Sequence, residues 1–348
     1  MFLMDAFAHT AVLATRPDHR LGMPDLGINH LPSPLLSIYP DLTKRMQHAP
    51  RFLLDNGAID AAVELTLGRP KVMLEALTHC RVPYNSVWIE WEEAGRARIR
   101  ETFHELAIEQ PGRPLPKRVG CLFECEKGGR QGTITWGWST DDPGLDVKGV
   151  SIPNTSPIIA YFNLDDEQRQ SDRRTQGLLQ GNICRLWKDN PVQLDALMGL
   201  WRTAIHAPSS WGFQYLEYLD RAVGRSQQRI EEAMADVYGE YIIAWAVMLL
   251  LTSSRQTVDY KPVDRSKINK IRKKKGEAQL FDHTEVTMHI GQHAKEGQRR
   301  QPLGYQRKSP RIHLVSRFLN RRGNKHWIVE PFLRGQGEWA ERHIHVKR

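Results

Sequence analysis

The chain has few cysteines and no long apolar segment, which narrows the classes of protein it can belong to. Four of its 348 residues are cysteine, and their irregular positions do not form a disulfide framework. The longest apolar run, Ile242 to Leu251, is well short of the roughly 20 residues that cross a bilayer. The first residues include Asp5 and His9 with no basic region before them, so we expect no signal peptide. These features predict a cytoplasmic protein that has no membrane partner.

The sequence also lacks the motifs of common enzymes. It contains no phosphate-gripping glycine loop, no dinucleotide fingerprint and no nucleophile elbow. Cys121 and Cys125 are interpreted as core or surface residues, because a catalytic cysteine needs a neighbouring base to form its thiolate. Glu90 and Glu92 are expected on the solvent face of a strand. We therefore predict a protein that is not an enzyme and that has no cofactor.

Positive charge is concentrated at one end of the chain. From Arg255 to Arg348 there are 23 Lys or Arg against 9 Asp or Glu, a balance of +14, whereas residues 1 to 254 hold 26 against 31. A basic segment attached to a mildly acidic body is typical of a protein with a polyanionic partner. The alternative is a solvated basic surface that maintains solubility.

The hydrophobic pattern predicts an α+β fold, with an antiparallel sheet packed against helices. Residues 85 to 164 contain alternating segments separated by turns, which favours a meandering sheet. Residues 165 to 251 are helical in pattern, and the helix Ser226 to Leu251 becomes apolar all round, so it should be buried against the sheet. Asp55-Asn56-Gly57 is typical of a turn and helix cap.

Three regions follow from these patterns. Residues 1 to 51 are expected to be a poorly structured N-terminal arm with one short helix, and residues 52 to 254 form the α+β body. Residues 255 to 348 are predicted to be a small, basic, β-rich C-terminal module, in which Arg311 to Asn320 and His326 to Leu333 form a hairpin.

Two groups of residues form the predicted nucleic-acid site. Seven basic residues and no acidic one lie between 265 and 275, as a segment that follows a phosphate backbone requires. In the hairpin, cations alternate with aromatic residues, a combination that holds looped or single-stranded RNA; the other interpretation is that the aromatic residues close a small core. The predicted contact residues are Lys270, Arg272, Lys273, Lys274, Arg311, His313, Arg317, Phe318, Arg321, Arg322 and Trp327.

Histidine is also enriched here, since seven of the 14 histidines follow residue 280. His283 and His289 share a face of a predicted strand but are too far apart along it to bind one ion. His343 and His345 have no evident third ligand. We therefore predict no metal site, and a metal-dependent nuclease remains only the second alternative function.

The hairpin sequence Lys308 to Gly335 resembles the closing motif of a family carried by phages and other mobile elements. This family includes one group of type V-A anti-CRISPR proteins. The matching positions are Pro310, His313, Gly323, Trp327 and Pro331. Val315-Ser316, Arg317 and Phe318 depart from the family pattern, which has an Arg-Arg pair, Gly and a second His there. Weaker similarity includes Asp55-Asn56-Gly57, Val87-Trp88-Ile89 and Lys267 to Gly276.

This resemblance implies a protein that lowers production of the host type V-A nuclease. In the anti-CRISPR members, recognition of the nascent nuclease chain leads to loss of its messenger RNA. We therefore expect the body to recognise a protein or peptide target, and the basic module to contact RNA, more than DNA, or the ribosome in a bacterial cytoplasm. The first alternative function is a sequence-specific DNA-binding regulator of the mobile element.

Overall fold

The protein is described here by a computed structural model. It describes residues 1–16, 21–22, 31–93, 116–126, 128–140, 146–147, 150–165, 190–224, 226–252, 258–288, 313–315, 318–322, 325–329 and 332–334.

A mixed sheet organises the fold, which is α+β as the sequence predicts. Within the described residues the sheet has nine strands: β1 (Arg51–Leu54), β2 (Ser86–Glu92), β3 (Pro116–Cys125), β4 (Gln131–Thr140), β7 (Asn154–Thr155), β8 (Ile158–Asn163), β9 (Ala204–Pro208), β10 (Val258–Val263) and β11 (His283–Met288). Their order is β10-β11-β1-β2-β3-β4-β8-β9, with β7 also paired to β4. Strand β1 is parallel to both of its neighbours, and the other pairs are antiparallel.

Helices lie on both faces of this sheet. Two further short strands, β5 (Asp146–Val147) and β6 (Val150–Ser151), pair with each other. The helices are α1 (Leu3–Ala14), α2 (Ser33–Leu36), α3 (Ile38–Gln47), α4 (Asn56–Gly68), α5 (Pro70–Leu77), α6 (Pro191–Trp201), α7 (Ser210–Val223), α8 (Ser226–Leu251) and α9 (Ser266–Lys274). Among the described helices, none is both long and apolar enough to cross a membrane.

One face of the sheet packs against α4, α5, α6 and α8. Helix α8 has the bounds that its apolar pattern predicts, and Trp245 in its C-terminal half is fully buried against Phe123 and Phe162. Asp55 caps α4 by accepting a hydrogen bond from the Ala58 amide at 2.8 Å. The predicted cap and the predicted buried helix are therefore both confirmed.

The opposite face packs against α1, α2, α3 and α7, so the expectation of a poorly structured arm is wrong. Leu3, Met4 and Phe7 of α1 are fully buried, and their cluster includes Trp88 and Leu122 of the sheet. The sequence signal is weak because α1 has no side chain that caps its own N-terminus. Helices α1, α2 and α3 therefore form, together with α7, a second helical layer of the body.

Strand β2 shows the effect of having two helical layers. Its alternation does place Val87 and Ile89 on one face and Trp88 and Glu90 on the other, but both faces are covered. The prediction that Glu90 faces solvent is wrong, since this side chain is fully buried. An alternating pattern identifies which residues share a face but not whether a second layer covers it.

The first part of the predicted C-terminal module contributes to the main sheet. Strand β11 pairs with β1 in parallel, opposite Phe52 to Leu54, and β10 pairs with β11 at the edge of the sheet. Val258, Val286 and Met288 are buried in the same cluster as α8. Residues 258 to 288 are therefore packed with the body.

Further along the chain, strands pair as the predicted hairpin requires. Strand β13 (Phe318–Arg322) pairs with β14 (Lys325–Val329), and β12 (His313–Val315) pairs with β15 (Phe332–Arg334). Both pairs are antiparallel. The predicted last strand, Arg342 to Val346, lies outside the described residues.

Candidate nucleic-acid interface

The basic run between 265 and 275 forms helix α9 and its ends. Asp264 accepts hydrogen bonds from the Ser266 amide at 2.7 Å and from its hydroxyl at 2.9 Å, which satisfies donors at the start of the helix. Gly276, with φ of +65°, follows the helix in the left-handed conformation that favours glycine. The last turn carries Arg272, Lys273 and Lys274, where positive charge interacts favourably with the helix dipole.

Helix α9 is fixed through a polar side to the segment that follows it. The Asn269 side chain donates to the Leu280 carbonyl at 2.7 Å and accepts from the Leu280 amide at 2.8 Å. Arg272 donates to the Ala278 carbonyl at 2.6 Å and forms an ion pair with Glu277 at 3.0 Å. These contacts set the rotation of the helix, and no residue of α9 is fully buried.

The rotation directs a row of lysines outward. Lys267, Lys270 and Lys274 follow the i, i+3, i+7 spacing of one helix face, and all three are exposed. We name these three residues the lysine stripe. Within the part of the chain that the structure describes, none of them forms an ion pair. Asp264 is close enough to Lys267 and Lys270 for their charges to help keep its pKa low, after the larger effect of its hydrogen bonds to Ser266.

Two isoleucines lie beside the lysine stripe. Ile268 is 42% exposed and Ile271 is 56% exposed, so this side of α9 combines cations with apolar surface. Such a surface suits a ligand that offers both negative charge and flat apolar groups. Phosphates and bases of a single strand have this combination.

The predicted contact residues on α9 differ in their exposure and in their hydrogen-bond partners. Lys270, Lys273 and Lys274 are exposed on or beside the stripe, whereas Arg272 is directed to Glu277 and the Ala278 carbonyl. Lys267 was missed, although its spacing from Lys270 and Lys274 could have identified it.

The hairpin residues of the predicted site are described through their backbone. In the register of β13 and β14, Arg321 is opposite His326, Asn320 is opposite Trp327, and Phe318 is opposite Val329. Strand β13 also contains Arg322, and β12 begins at His313. The two remaining predicted residues, Arg311 and Arg317, lie outside the described residues.

A second group of charges lies buried between α1 and the sheet, and the sequence did not reveal it. The Glu90 carboxylate accepts hydrogen bonds from the Leu3 amide at 2.6 Å and the Met4 amide at 3.1 Å, at the N-terminus of α1. It also accepts from the Trp88 indole at 3.1 Å and the Arg118 guanidinium at 2.6 Å. Arg118 is 8% exposed in its side chain, so this is a buried ion pair with additional hydrogen bonds.

Asp5 and His283 lie close to this ion pair. Burial raises the pKa of Asp5 from 3.8 to about 6, against the opposing effect of a hydrogen bond from the Phe281 amide at 2.9 Å. Burial lowers the pKa of His283, whose Nδ1 lies 3.2 Å from the Phe281 carbonyl. The Phe2 ring contacts both the His283 ring and the Arg118 guanidinium. We name Asp5, Glu90, Arg118 and His283 the buried cluster.

The chemistry of the described cysteines agrees with their interpretation as core or surface residues. Burial raises the pKa of both Cys80 and Cys125 to about 12 and that of Cys121 well above its usual value. A thiolate is therefore disfavoured at each of these positions. Among the described residues there is no group of three or more His, Cys, Asp or Glu that could hold a metal ion.

Comparisons with protein families, with curated proteins and with solved structures find no match for this chain. The resemblance of Lys308 to Gly335 to the mobile-element family therefore stays a prediction.

Proposed function

We propose that this protein binds single-stranded RNA through the lysine stripe of α9, together with the basic residues of the C-terminal hairpin. The observation that carries the proposal is that three lysines of one helix face are exposed without an ion pair among the described residues. Such cations neutralise phosphates and release counterions, which supplies most of the affinity for a nucleic acid. A single strand is favoured over a duplex because apolar side chains lie beside the stripe, where unpaired bases can pack.

The C-terminal residues extend this surface in our proposal. Residues 289 to 348 hold 14 Lys or Arg against 4 Asp or Glu, and the register brings Arg321 opposite His326 and Arg322 opposite Lys325. We propose that these residues form a basic, β-rich module that contacts the same nucleic acid. Phe318 and Trp327 are its proposed stacking residues.

A binding measurement with matched variants tests this proposal. The triple variant Lys267→Ala, Lys270→Ala, Lys274→Ala removes the stripe. A control with the same net charge, Lys71→Ala, Arg202→Ala, Arg221→Ala, removes exposed cations of α5, α7 and the end of α6. We expect the stripe variant to bind a single-stranded RNA about 10- to 100-fold more weakly than the wild type, and the control to bind normally.

The same measurement distinguishes other ligands. No binding of RNA by the wild-type protein, or equal binding by both triple variants, would contradict the proposal. A strong preference for one duplex DNA sequence would instead support the DNA-binding regulator.

The resemblance of the hairpin supports a more specific role. In this proposal the protein acts in the cytoplasm of a bacterial host, where the body recognises a nascent chain and the basic surface contacts its RNA or the ribosome. Lower production of a type V-A CRISPR nuclease would be the result. Expression of the protein in a host with that nuclease should reduce both the nuclease and its messenger RNA, whereas the stripe variant should not. Unchanged amounts of both would contradict this role without excluding RNA binding.

A further inference from the structure

A cavity of about 600 Å³ lies between α1, α3 and the segment 278–282, and it is open to solvent. Phe281 adds an aromatic ring to its wall from the segment that follows α9. The helices contribute short or apolar side chains, namely Ala8, Ala11 and Val12 of α1 and Pro40 of α3. Cavities of this size bind small organic molecules, and walls of this kind suit an apolar body.

Arg51 is a fixed part of the cavity wall. Its Nε donates to the Asp282 carbonyl at 2.5 Å, and its Nη1 donates to the carbonyls of Met46 at 2.7 Å and Ala49 at 2.8 Å. The guanidinium carbon lies 5.1 Å from the centre of the Phe281 ring. Because Asp282 and Phe281 also line the cavity, these contacts hold the guanidinium in place at its surface.

The charge of Arg51 has no counter-ion within the described part of the chain. Its hydrogen bonds there all go to main-chain carbonyls, and its third nitrogen, Nη2, donates none. This nitrogen is not sealed inside the protein, since Arg51 is half-buried. Burial lowers the pKa of Arg51, against the effects of Asp282 and Asp5, neither of which forms an ion pair with it. A half-buried cation without a carboxylate partner gains from an anion that reaches it.

A second cation lines the same cavity. Lys44 of α3 is exposed and forms no ion pair with another described residue. Among the charged side chains that line the cavity, Lys44 and Arg51 are positive and Asp282 is negative, which leaves one positive charge. The Asp282 carboxylate already accepts a hydrogen bond from the Arg265 amide at 2.5 Å. The wall therefore matches a ligand that carries a single negative charge.

We propose that this cavity binds a small organic carboxylate, with its charged group on Arg51 and Lys44 and its apolar body between α1 and α3. Arg51 Nη2 and Lys44 Nζ donate to the two carboxylate oxygens. Charge-assisted hydrogen bonds of this kind are about twice as strong as bonds between neutral groups. The cavity shares no residue with the lysine stripe, so this inference does not depend on RNA binding.

Calorimetric titration of the full chain with hexanoate, benzoate and the uncharged amides of both acids tests the proposal. We expect the wild-type protein to bind at least one of the two carboxylates with a Kd of about 1 mM or tighter. The corresponding amide should bind about tenfold more weakly, because it cannot form charge-assisted hydrogen bonds. Inorganic phosphate, which has charge but no apolar body, should bind no better than the amides.

Three variants locate the ligand. Lys44→Gln removes the exposed cation, Arg51→Gln removes the fixed one, and Val12→Trp fills the cavity from a half-buried position of α1. Each should weaken binding of the carboxylate about tenfold or more. Lys71→Gln on α5 and Val192→Trp on α6, both at exposed positions, are the matched controls and should bind as the wild type does. Thermal unfolding shows which variants are folded, and if Arg51→Gln is not, Lys44→Gln and Val12→Trp decide.

Four outcomes would overturn the proposal. The first is that the wild-type protein binds neither carboxylate, and the second is that it binds a carboxylate and its amide equally well. The third is unchanged affinity in both Lys44→Gln and Val12→Trp, which would place the ligand elsewhere on the protein. The fourth is tighter binding of inorganic phosphate than of either carboxylate, which would contradict the assigned class of ligand.

Discussion

Charged side chains lie together in two places, the lysine stripe and the buried cluster. The two differ in whether the charges are paired within the chain. The cations of the stripe are exposed and have no ion pair among the described residues. In the buried cluster, Glu90 is fully buried and accepts four hydrogen bonds, one of them from Arg118. Charge that is already paired and buried within the chain is costly to disrupt, whereas exposed and unpaired charge is available for a partner.

The two places are linked by one residue. Arg265 begins the basic run, and its guanidinium lies 5.7 Å from the Phe2 ring that also contacts Arg118 and His283. Its amide donates to Asp282 in the segment between α9 and β11. The position of α9 therefore depends on the packing of α1. Variants that change only the lysine stripe or only the buried cluster measure how far each depends on the other.

The largest expected effect on stability is that of Glu90→Gln. This change removes the charge that Arg118 faces in a buried position and weakens the hydrogen bonds to the first amides of α1. We expect a loss of about 3 to 5 kcal/mol in the free energy of unfolding, measured with denaturant. Glu92→Gln is the control, because Glu92 also pairs with Arg118 but is 53% exposed, and it should cost less than about 1 kcal/mol. Equal effects of the two variants would contradict the role of burial.

The second effect is a dependence of stability on pH through Asp5. Its pKa is about 6 in the folded protein and 3.8 when it is unperturbed, so the folded chain binds the proton more tightly. The stability that the protonated form contributes is complete below pH 3.8 and is lost as the pH rises to about 6. A shift of this size corresponds to about 3 kcal/mol.

Asp5→Asn removes this dependence. The free energy of unfolding of the wild type should rise relative to that of the variant as the pH falls through this window. Asp41→Asn is the control, since the Asp41 side chain is 58% exposed. A constant difference between wild type and Asp5→Asn across the window would show that Asp5 is not the titrating group.

A smaller effect is expected from the anchor of α9. Asn269→Ala removes both hydrogen bonds to Leu280 and should cost about 1 to 2 kcal/mol. Hydrogen exchange should become faster in residues 266 to 280 and stay unchanged in α8. Gln279→Ala, at an exposed neighbouring position, should leave both rates unaltered. Faster exchange throughout the chain would mean that the anchor supports the whole fold instead of the helix alone.

The smallest effect on stability belongs to the lysine stripe. The triple variant Lys267→Ala, Lys270→Ala, Lys274→Ala should change the free energy of unfolding by less than about 0.5 kcal/mol, because these side chains make no ion pair within the described residues. Thermal or denaturant unfolding measures this directly. A large loss of stability would show that the lysines support the fold, and their availability for a partner would then be in doubt.

Much of the fold could be predicted from local sequence. The apolar pattern identifies α8, the alternation identifies the antiparallel strands β2, β3, β4 and β8, and Asp55 identifies the start of α4. What could not be predicted depends on contacts between distant residues. Helix α1 is capped by Glu90, 87 residues from Leu3, and the short strand β1 is held by parallel pairing to β2 and β11.

The candidate interface, too, could be predicted only in part from local sequence. The basic composition of α9 is evident from the sequence, but the choice of its outward face is not. That face is set when Asn269 and Arg272 bond to residues 277 to 280. For this reason Arg272 was predicted as a contact residue although it pairs with Glu277, and Lys267 was missed although it belongs to the stripe.

The most direct test of the central claim is the salt dependence of RNA affinity for the wild type, the stripe variant and the control of equal charge. The logarithm of the association constant should fall linearly with the logarithm of the salt concentration, between about 0.05 and 0.2 M. Loss of three phosphate contacts should make that slope shallower by about 2 in the stripe variant, and the control should keep the slope of the wild type. Identical slopes for all three proteins would contradict the account.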